Sequence, residues 1–424
     1  MKAFKFDRST LIFLAGAVAF FGIIQLLIVV GVLNPFWTTI LRLAGVMAIV
    51  SLGLNLIYGF NGQFSLGQWG FYAIGAYAAA DVTYRFAQLH TANGLTVLLM
   101  VAIFSTAGLV LARIVINKIR GLDPLSALVL YLAATIALGY VGFLLGKVLA
   151  GPVTGLLLAL PKGVAVQIVF ILSVLLGGVV AAEVSFLFGL PILTLGSDYF
   201  GIATLGFTII IKVLLDNSDT LLGFVEMKGA RGMVGIPKVT SWFWVMLFLV
   251  IAVILVRNML NSTYGRAIKS VREDELAAKA MGVDVANFKI LSFVIGSFLA
   301  GIAGALYAHV NGFLHPDTFN FIKSFDPMII VVFGGLGSVT GTLVASFAWA
   351  LVLEGFLRLW LPEGFETWRF VVYPILLLIM MLLKPNGIFG GFEIAYLRDL
   401  LPFKKKVKKT EPLEAIQDTS EVAP

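Results

Sequence analysis

Long apolar runs separated by short polar breaks fill the chain almost from end to end. The first is Leu11–Leu33. Others follow at about Trp37–Tyr58, Ser65–Thr83, Gly94–Arg113, Leu125–Leu149, Val164–Phe188, Gly196–Leu215, Ser241–Leu260 and Phe288–Val310, and a last group at about Phe325–Gly337, Thr340–Trp360 and Trp368–Leu383. Most approach the roughly 20 residues that a helix needs to cross a bilayer core. Alternation at period two, the mark of a membrane-spanning strand, is absent. The pattern predicts an all-α fold: a polytopic transmembrane helical bundle of about 10–12 spans. Phe325–Gly337 is too short for an ordinary crossing.

Two stretches break the pattern. "GFNGQFSLG" (Gly59–Gly67) and "GGLGSVTG" (Gly334–Gly341) put glycines and polar side chains inside apolar surroundings. Backbone that cannot stay helical in lipid must line a cavity or lie against protein. Interrupted helices of this kind expose amides and carbonyls to a passing solute. Asn61, Gly62, Gln63, Ser65 and Gly67, together with Gly334, Gly335, Gly337 and Ser338, are therefore the candidate translocation-pathway residues, with Gln68 beside them. Close helix packing through small residues is the alternative. The two stretches share a G-x-x-S pattern (Gly62 and Ser65, Gly335 and Ser338), read as the trace of an inverted repeat.

Between spans, the sizeable charged segment is "LNSTYGRAIKSVREDELAAKAMGVDVANFK", residues 260–289. Ser270 and Glu273 have capping-box spacing and predict a helix start. Glu275 and Lys279 stand at i,i+4, Gly282 suits the left-handed position after a helix, and Asp284 suits the cap of the next one. The expected product is a short helix showing Leu276, Ala277, Ala280 and Met281 beside charges. It is either a solvated connector or a docking helix for a partner's groove.

Composition narrows the chemistry. The 424 residues are 60% hydrophobic and 12% charged, against about 25% charged in a soluble domain, and mean hydropathy is +1.01. With no cysteine and 3 histidines, thiol nucleophiles and Fe–S clusters are impossible and a histidine-rich metal site is not expected. The +7 net charge gathers at membrane flanks, so no nucleic acid is implied. Lys2, Lys5 and Arg8 precede the first run, which is too long and lacks the cleavage site of a signal peptide. By the positive-inside rule the N-terminus is cytoplasmic. An even span count then places Arg113–Arg120, the segment 260–289, "KKKVKK" (Lys404–Lys409) and the C-terminus inside as well, with Lys228, Arg231 and Lys238 outside against the rule. Charges near or within spans are Arg42, Lys147, Glu183, Lys212, Asp216, Asp326, Glu354 and Arg358. All but Arg42, Glu183 and Glu354 are read as snorkelling from span ends, and no carboxylate–histidine proton relay is visible. No Walker A signature occurs; Gly146–Lys147 lacks its glycine partner.

Several stretches carry a family resemblance: "LNLIYGFNGQFSLGQWGFYAIGAYAAA", "SDYFGIATLGFTIIIKVLLDN", "STYGRAIKSVREDELAAKAMGVDVANFKILSFVIGSFLAGIAGALYA", "IIVVFGGLGSVTGTLVASF" and "LLKPNGIFG". In this order, from about Leu54 to Gly390, they resemble the branched-chain amino acid permeases of bacterial ABC importers, specifically the LivM-type membrane subunit. The resemblance implies a non-enzymatic transport subunit in the bacterial cytoplasmic (inner) membrane. It implies a second homologous permease subunit, two ABC ATPase subunits that carry ATP and Mg, a periplasmic or extracellular solute-binding protein, and membrane lipid around them. No cofactor is expected on this chain. Leucine, isoleucine or valine is the implied cargo. Urea, short amides or other amino acids are the alternatives within the architecture, and a self-sufficient secondary transporter or channel the alternative outside it. The segment 260–289 corresponds to the family's ATPase-coupling loop, with Arg272, Glu273, Glu275, Ala277, Ala278, Met281 and Gly282 as its candidate residues. The importer pattern E-A-A-x3-G is met by Ala277, Ala278 and Gly282, but Leu276 holds the acidic slot and Glu275 lies one place early. Residues 1–390 are thus read as one permease domain with a two-span insertion at about 85–163. Residues 391–424 are read as a largely disordered cytoplasmic tail.

Overall fold

The structure, a computed structural model, describes residues 8–118, 124–192, 197–221, 223, 225–356 and isolated positions from 375 to 393. The expected span Trp368–Leu383, Arg358 and the run Lys404–Lys409 fall wholly or largely outside the described residues. Among those described, nine helices are long and apolar enough to cross a membrane.

In chain order they are α1 (Arg8–Val29), α2 (Pro35–Leu54), α3 (Gln68–Leu89), α4 (Asn93–Lys118), α5 (Pro124–Leu158), α6 (Lys162–Ile192), α7 (Ser197–Asp216), α8 (Trp242–Asn261), the short α9 (Thr263–Glu273) and α10 (Glu275–Ala280), α11 (Val285–Asn311), α12 (Phe325–Gly334) and α13 (Val339–Trp349). Helix α3 carries Asp81 and Arg85 and so falls short of the nine on hydropathy, yet its 22 residues run through the bundle. Two π-helical turns prolong α2 and α13, over Asn55–Phe60 and Ala350–Phe356. A two-residue ribbon pairs β1 (Met233–Val234) with β2 (Phe313–Leu314), antiparallel.

The core is built by close approach. Helices α3, α6 and α11 meet at small residues: a methyl group on Gly301 would stand 2.6 Å from the Gly177 carbonyl oxygen, and one on Gly177 would stand 2.8 Å from that of Gly75. Without a hydrophobic force between helices in lipid, such contact is what holds them. Gly75 packs against Gly301 and Thr83 Oγ1 lies 2.8 Å from His309 Nε2, so α3 and α11 run in the same direction. Helix α2 meets α11 at Gly53 and Gly296, and farther along the chain Asn61 meets Ser292, so α2 runs the opposite way. The first turn of α11, the last of α2 and the start of α3 therefore share one end of the bundle with α9 and α10.

Two expectations change. Helix α5 does not end near Leu149. It continues through Pro152 to Leu158, 35 residues in all, so Lys147 is not at a helix end; it is exposed, its Nζ 4.3 Å from the Phe143 ring centroid. One internal proline removes a single backbone bond, which a long membrane helix accommodates. Helices α4 and α5 form a hairpin through glycines; a methyl on Gly108 would stand 2.8 Å from Ala134 O. The short run at 325–337 is the half-helix α12, 10 residues or about 15 Å. It is entered from Pro316–Ser324, which already lies inside the bundle with Phe319 against Tyr72, Tyr77 and Tyr307. Helices α12 and α13 thus form a re-entrant hairpin with its tip at Gly335–Ser338.

Of the other charged residues, Lys212 pairs with Asp216 at 2.9 Å and Asp317 at 3.0 Å. Lys323 reaches Asp326 at 3.2 Å, and Glu183 accepts a 2.8 Å bond from Ser105. Among the described residues, no group of three or more His, Cys, Asp or Glu could hold a metal.

Candidate functional site: two glycine breaks against a surface helix

The two glycine-rich stretches, far apart in sequence, meet at the α9–α10 end of the bundle. Asn55, the first residue of the π-helical turn after α2, joins them. Its Nδ2 donates to Ser338 O at 2.9 Å and to Thr342 Oγ1 at 2.8 Å, and its Oδ1 accepts from Gly337 N at 2.9 Å. One fully buried amide therefore ties the tip of the re-entrant hairpin to the end of α2. Gly59 has to be glycine for this: any side chain there would collide with the Asn55 amide and stand 2.6 Å from Gly337 N.

Beyond the turn the chain runs nonhelical to Gly67. Asn61 Nδ2 donates to Gln63 Oε1 at 2.8 Å and to Ser292 Oγ at 2.6 Å. Leu66 N donates to Thr204 Oγ1, and Leu66 O accepts from Thr208 Oγ1. Gly67 N donates to Ser65 Oγ at 3.3 Å. Thr204 and Thr208 of α7, with Ser65 itself, thus replace helical bonds that the break gives up, and Ser292 of α11 holds the Asn61 side chain. Asn61, Gln63, Ser65 and Gln68 are buried, as are Gly67, Gly334, Gly335 and Ser338, whereas Gly62 is exposed and Gly337 intermediate. Gln68 is distinctive: at 1% exposure neither atom of its amide has a partner among the described residues. An orphaned buried amide is costly, which marks the place as one where water or a polar solute would be held.

The surface segment lies directly over this junction. Ser262 caps α9 by accepting from Gly265 N, and Gly265, Ile268 and Val271 face the bundle. Arg272 joins the two breaks from outside. Its Cγ lies 3.4 Å from the position of a Gly62 methyl, and its Nη1 lies 2.8 Å from that of a Gly337 methyl. Lys269 Nζ stands 5.7 Å from the Phe60 ring centroid. Burial pushes its ammonium below the ordinary lysine value, while the Glu393 carboxylate acts the other way. Glu393 also accepts from Val339 N at 2.6 Å and from Thr340 Oγ1 at 2.7 Å, capping α13 where a carboxylate complements the helix dipole. It belongs to the stretch 391–424 read as a tail. Just before it, Ile388 N and Phe389 N bond to Phe333 O and Gly334 O.

The predicted capping box is not formed. Ser270 sits inside α9 and donates to Ala267 O, and the chain breaks four residues later. Asp274 there accepts from Leu276 N at 2.8 Å and Ala277 N at 3.0 Å, opening α10. A local aspartate cap displaced the S-x-x-E signal because α9 had already begun at Ser262. The pairing Glu275–Lys279 is likewise replaced by an ion pair of Glu275 with Lys289 of α11. Gly282 (φ +81°) closes α10 with Gly282 N on Lys279 O and Val283 N on Ala278 O, a Schellman motif, and Asp284 caps α11 through Asn287 N. Glu273, Glu275, Ala277, Ala280 and Met281 face outward and Ala278 inward. Leu276 is 81% exposed and Met281 84%, which leaves an uncovered apolar pair among charges.

Sequence reasoning missed Asn55, Thr342, Ser292 and Glu393. A lone amide in "SLGLNLIYG", four residues before a glycine, was the available signal for Asn55. Nothing local marks the others.

A family profile described as "Branched-chain amino acid transport system / permease component" matches residues 36–381. The chain is 25% identical to the high-affinity branched-chain amino acid transport system permease protein LivM of Escherichia coli K12 over 85% of this chain and 73% of that one. It is 25% identical to the probable branched-chain amino acid transport permease protein LivM of Methanocaldococcus jannaschii over 86% of this chain and 94% of that one. The Salmonella typhimurium LivM permease is 30% identical over 50% of this chain, a match that spans 56% of that protein's length. No solved structure matches this chain at a significant level.

Proposed function

Because the chain belongs to the branched-chain amino acid transport permease family, we propose that it is the membrane subunit of an ATP-driven importer that carries leucine, isoleucine or valine into the cell. A homologous permease subunit, two ATPase subunits and a solute-binding protein complete the machine, in the bacterial cytoplasmic membrane. The contact of Arg272 with both glycine breaks carries the reading. A surface segment that shows Leu276 and Met281 of α10 to the cytosol and approaches the interrupted helices through Arg272 of α9 is a lever between an ATPase and a pathway. ATP-driven closure of the ATPases pushes on α10 and α9. Arg272 transmits the displacement to Gly62 and Gly337, and the two breaks change access to the polar residues behind them. The similarity to branched-chain amino acid permeases supports this cargo, and the binding protein delivers the solute.

Uptake of labelled leucine into vesicles rebuilt with all four kinds of subunit tests this. ATP-dependent accumulation that requires the ATPases supports it, and accumulation by this chain alone contradicts it. A variant sharpens the test. Gly282 has open space around it but a left-handed backbone, which costs an ordinary residue about 1–2 kcal/mol and a β-branched one more. Gly282→Val is expected to misplace α10 against α11, leave membrane insertion intact and separate ATP hydrolysis from uptake. Normal uptake would remove α10 from the coupling path.

A further inference from the structure

At the same end of the bundle, a cavity of about 380 Å³ opens between the α4–α5 hairpin and the helices behind it. Arg113, Tyr264 and Asn287 line its mouth, and Phe186, Ile290 and Val294 line its wall. Arg113 is exposed and has no ion-pair partner among the described residues. The Asn287 amide is occupied by Asp284, so the donors free for a ligand are the Arg113 guanidinium and the hydroxyls of Tyr264 and Tyr131. Tyr131 also lines the cavity. It is only 7% exposed and meets Phe186 edge-on at 5.3 Å, about two turns inside α5. The site is therefore cationic at the rim and apolar within, and it opens where the lysine and arginine pattern puts the cytosolic face of the membrane.

We propose that this cleft holds one anionic phospholipid. Arg113 and the Tyr264 hydroxyl take the phosphate, and the acyl chains lie along Ile290, Val294 and Phe186. Charge complementarity selects this occupant. The cytosolic leaflet is negatively charged, and basic pockets between helices on that side bind acidic headgroups. The exposed Arg113 guanidinium, with no ion-pair partner among the described residues, favours at this rim an anion whose tails satisfy the apolar wall as well. A neutral lipid would leave the arginine uncompensated, and a small inorganic anion would leave the wall wet. The lipid would join the hairpin to α9 and α11, the elements that hold the coupling segment, and so gives the added hairpin a physical task.

Native mass spectrometry of the full chain tests the assignment, with equal amounts of phosphatidylglycerol and phosphatidylcholine added in mild detergent. One retained phosphatidylglycerol is expected, about fivefold less abundant in Arg113→Ala, the factor one cationic side chain contributes near an acidic surface. Ile290→Trp, which fills the wall and keeps the charge, is expected to lose the same adduct. Lys147→Ala, which removes an exposed cation elsewhere, is expected to keep it. Equal retention of both lipids, or an adduct unchanged in Arg113→Ala and Ile290→Trp, overturns the proposal. Displacement of the lipid by excess inorganic phosphate also overturns it, since the site would then be one for a free anion.

Discussion

In Arg272→Ala, uptake driven by ATP is expected to fall about 5- to 150-fold, the range of a coupling energy of roughly 1–3 kcal/mol. ATP hydrolysis by the assembled complex should continue. The side chain is exposed and no hydrogen bond holds it among the described residues, so its loss costs the fold little. What disappears is the covering of Gly62 by the aliphatic stem and the approach of the guanidinium to Gly337. A long side chain that lays its carbons along one surface and its charge on another is well suited to joining two segments. Arg272→Lys keeps the stem and the charge but not the planar head, and should fall between wild type and alanine. The check is leucine uptake and phosphate release measured on the same vesicles. Parallel loss of both would point to failed docking, and no loss of either would remove Arg272 from the path.

Asn55→Ala is the second large effect, and it acts on stability as well as transport. Thr342 Oγ1 still donates to Ser338 O at 2.9 Å without Asn55, so those two groups keep a partner. Gly337 N does not. A fully buried amide left without an acceptor costs about 1–3 kcal/mol; Gly337 N is partly buried, so the cost falls toward the lower end, and the re-entrant tip loses its tie to α2. A lower apparent melting temperature in detergent and loss of uptake are expected. Asn55→Asp separates the two functions of the amide: the carboxylate still accepts from Gly337 N but faces the Ser338 carbonyl with no donor. It should restore part of the stability and little of the transport. Full stability in Asn55→Ala would mean that the tip is held by its own contacts with Ile388 and Phe389.

Much of this architecture was legible in the order of apolar and polar residues, since a helix in lipid must satisfy its own backbone and shows itself as an uninterrupted run. The same rule exposed the two glycine breaks and the short re-entrant segment. Their meeting was not legible. Asn55 and Gly337 stand 282 positions apart, and no local pattern records a pairing set by how α2 and α13 pack. The capping-box reading failed for a different reason: Ser270 and Glu273 had the right spacing, but Ser262 and Asp274 offered better-placed caps, and helix starts are decided by competition among neighbours. The segment 260–289 was visible as a charged island with apolar members, the feature on which the proposed docking rests. That Arg272, rather than an acidic residue, touches the breaks is a matter of three-dimensional placement.

The most direct test concerns motion of the first break under control of the surface helix. Ser65 is buried, and the chain has no natural cysteine, so Ser65→Cys gives a single thiol. Its labelling by a polar thiol reagent would be followed in the rebuilt complex, with and without ATP, and again with Arg272→Ala added. The account predicts slow labelling at rest, faster labelling during turnover, and loss of that acceleration when Arg272 is gone. Protection in every nucleotide state, or acceleration that survives the loss of Arg272, would contradict it.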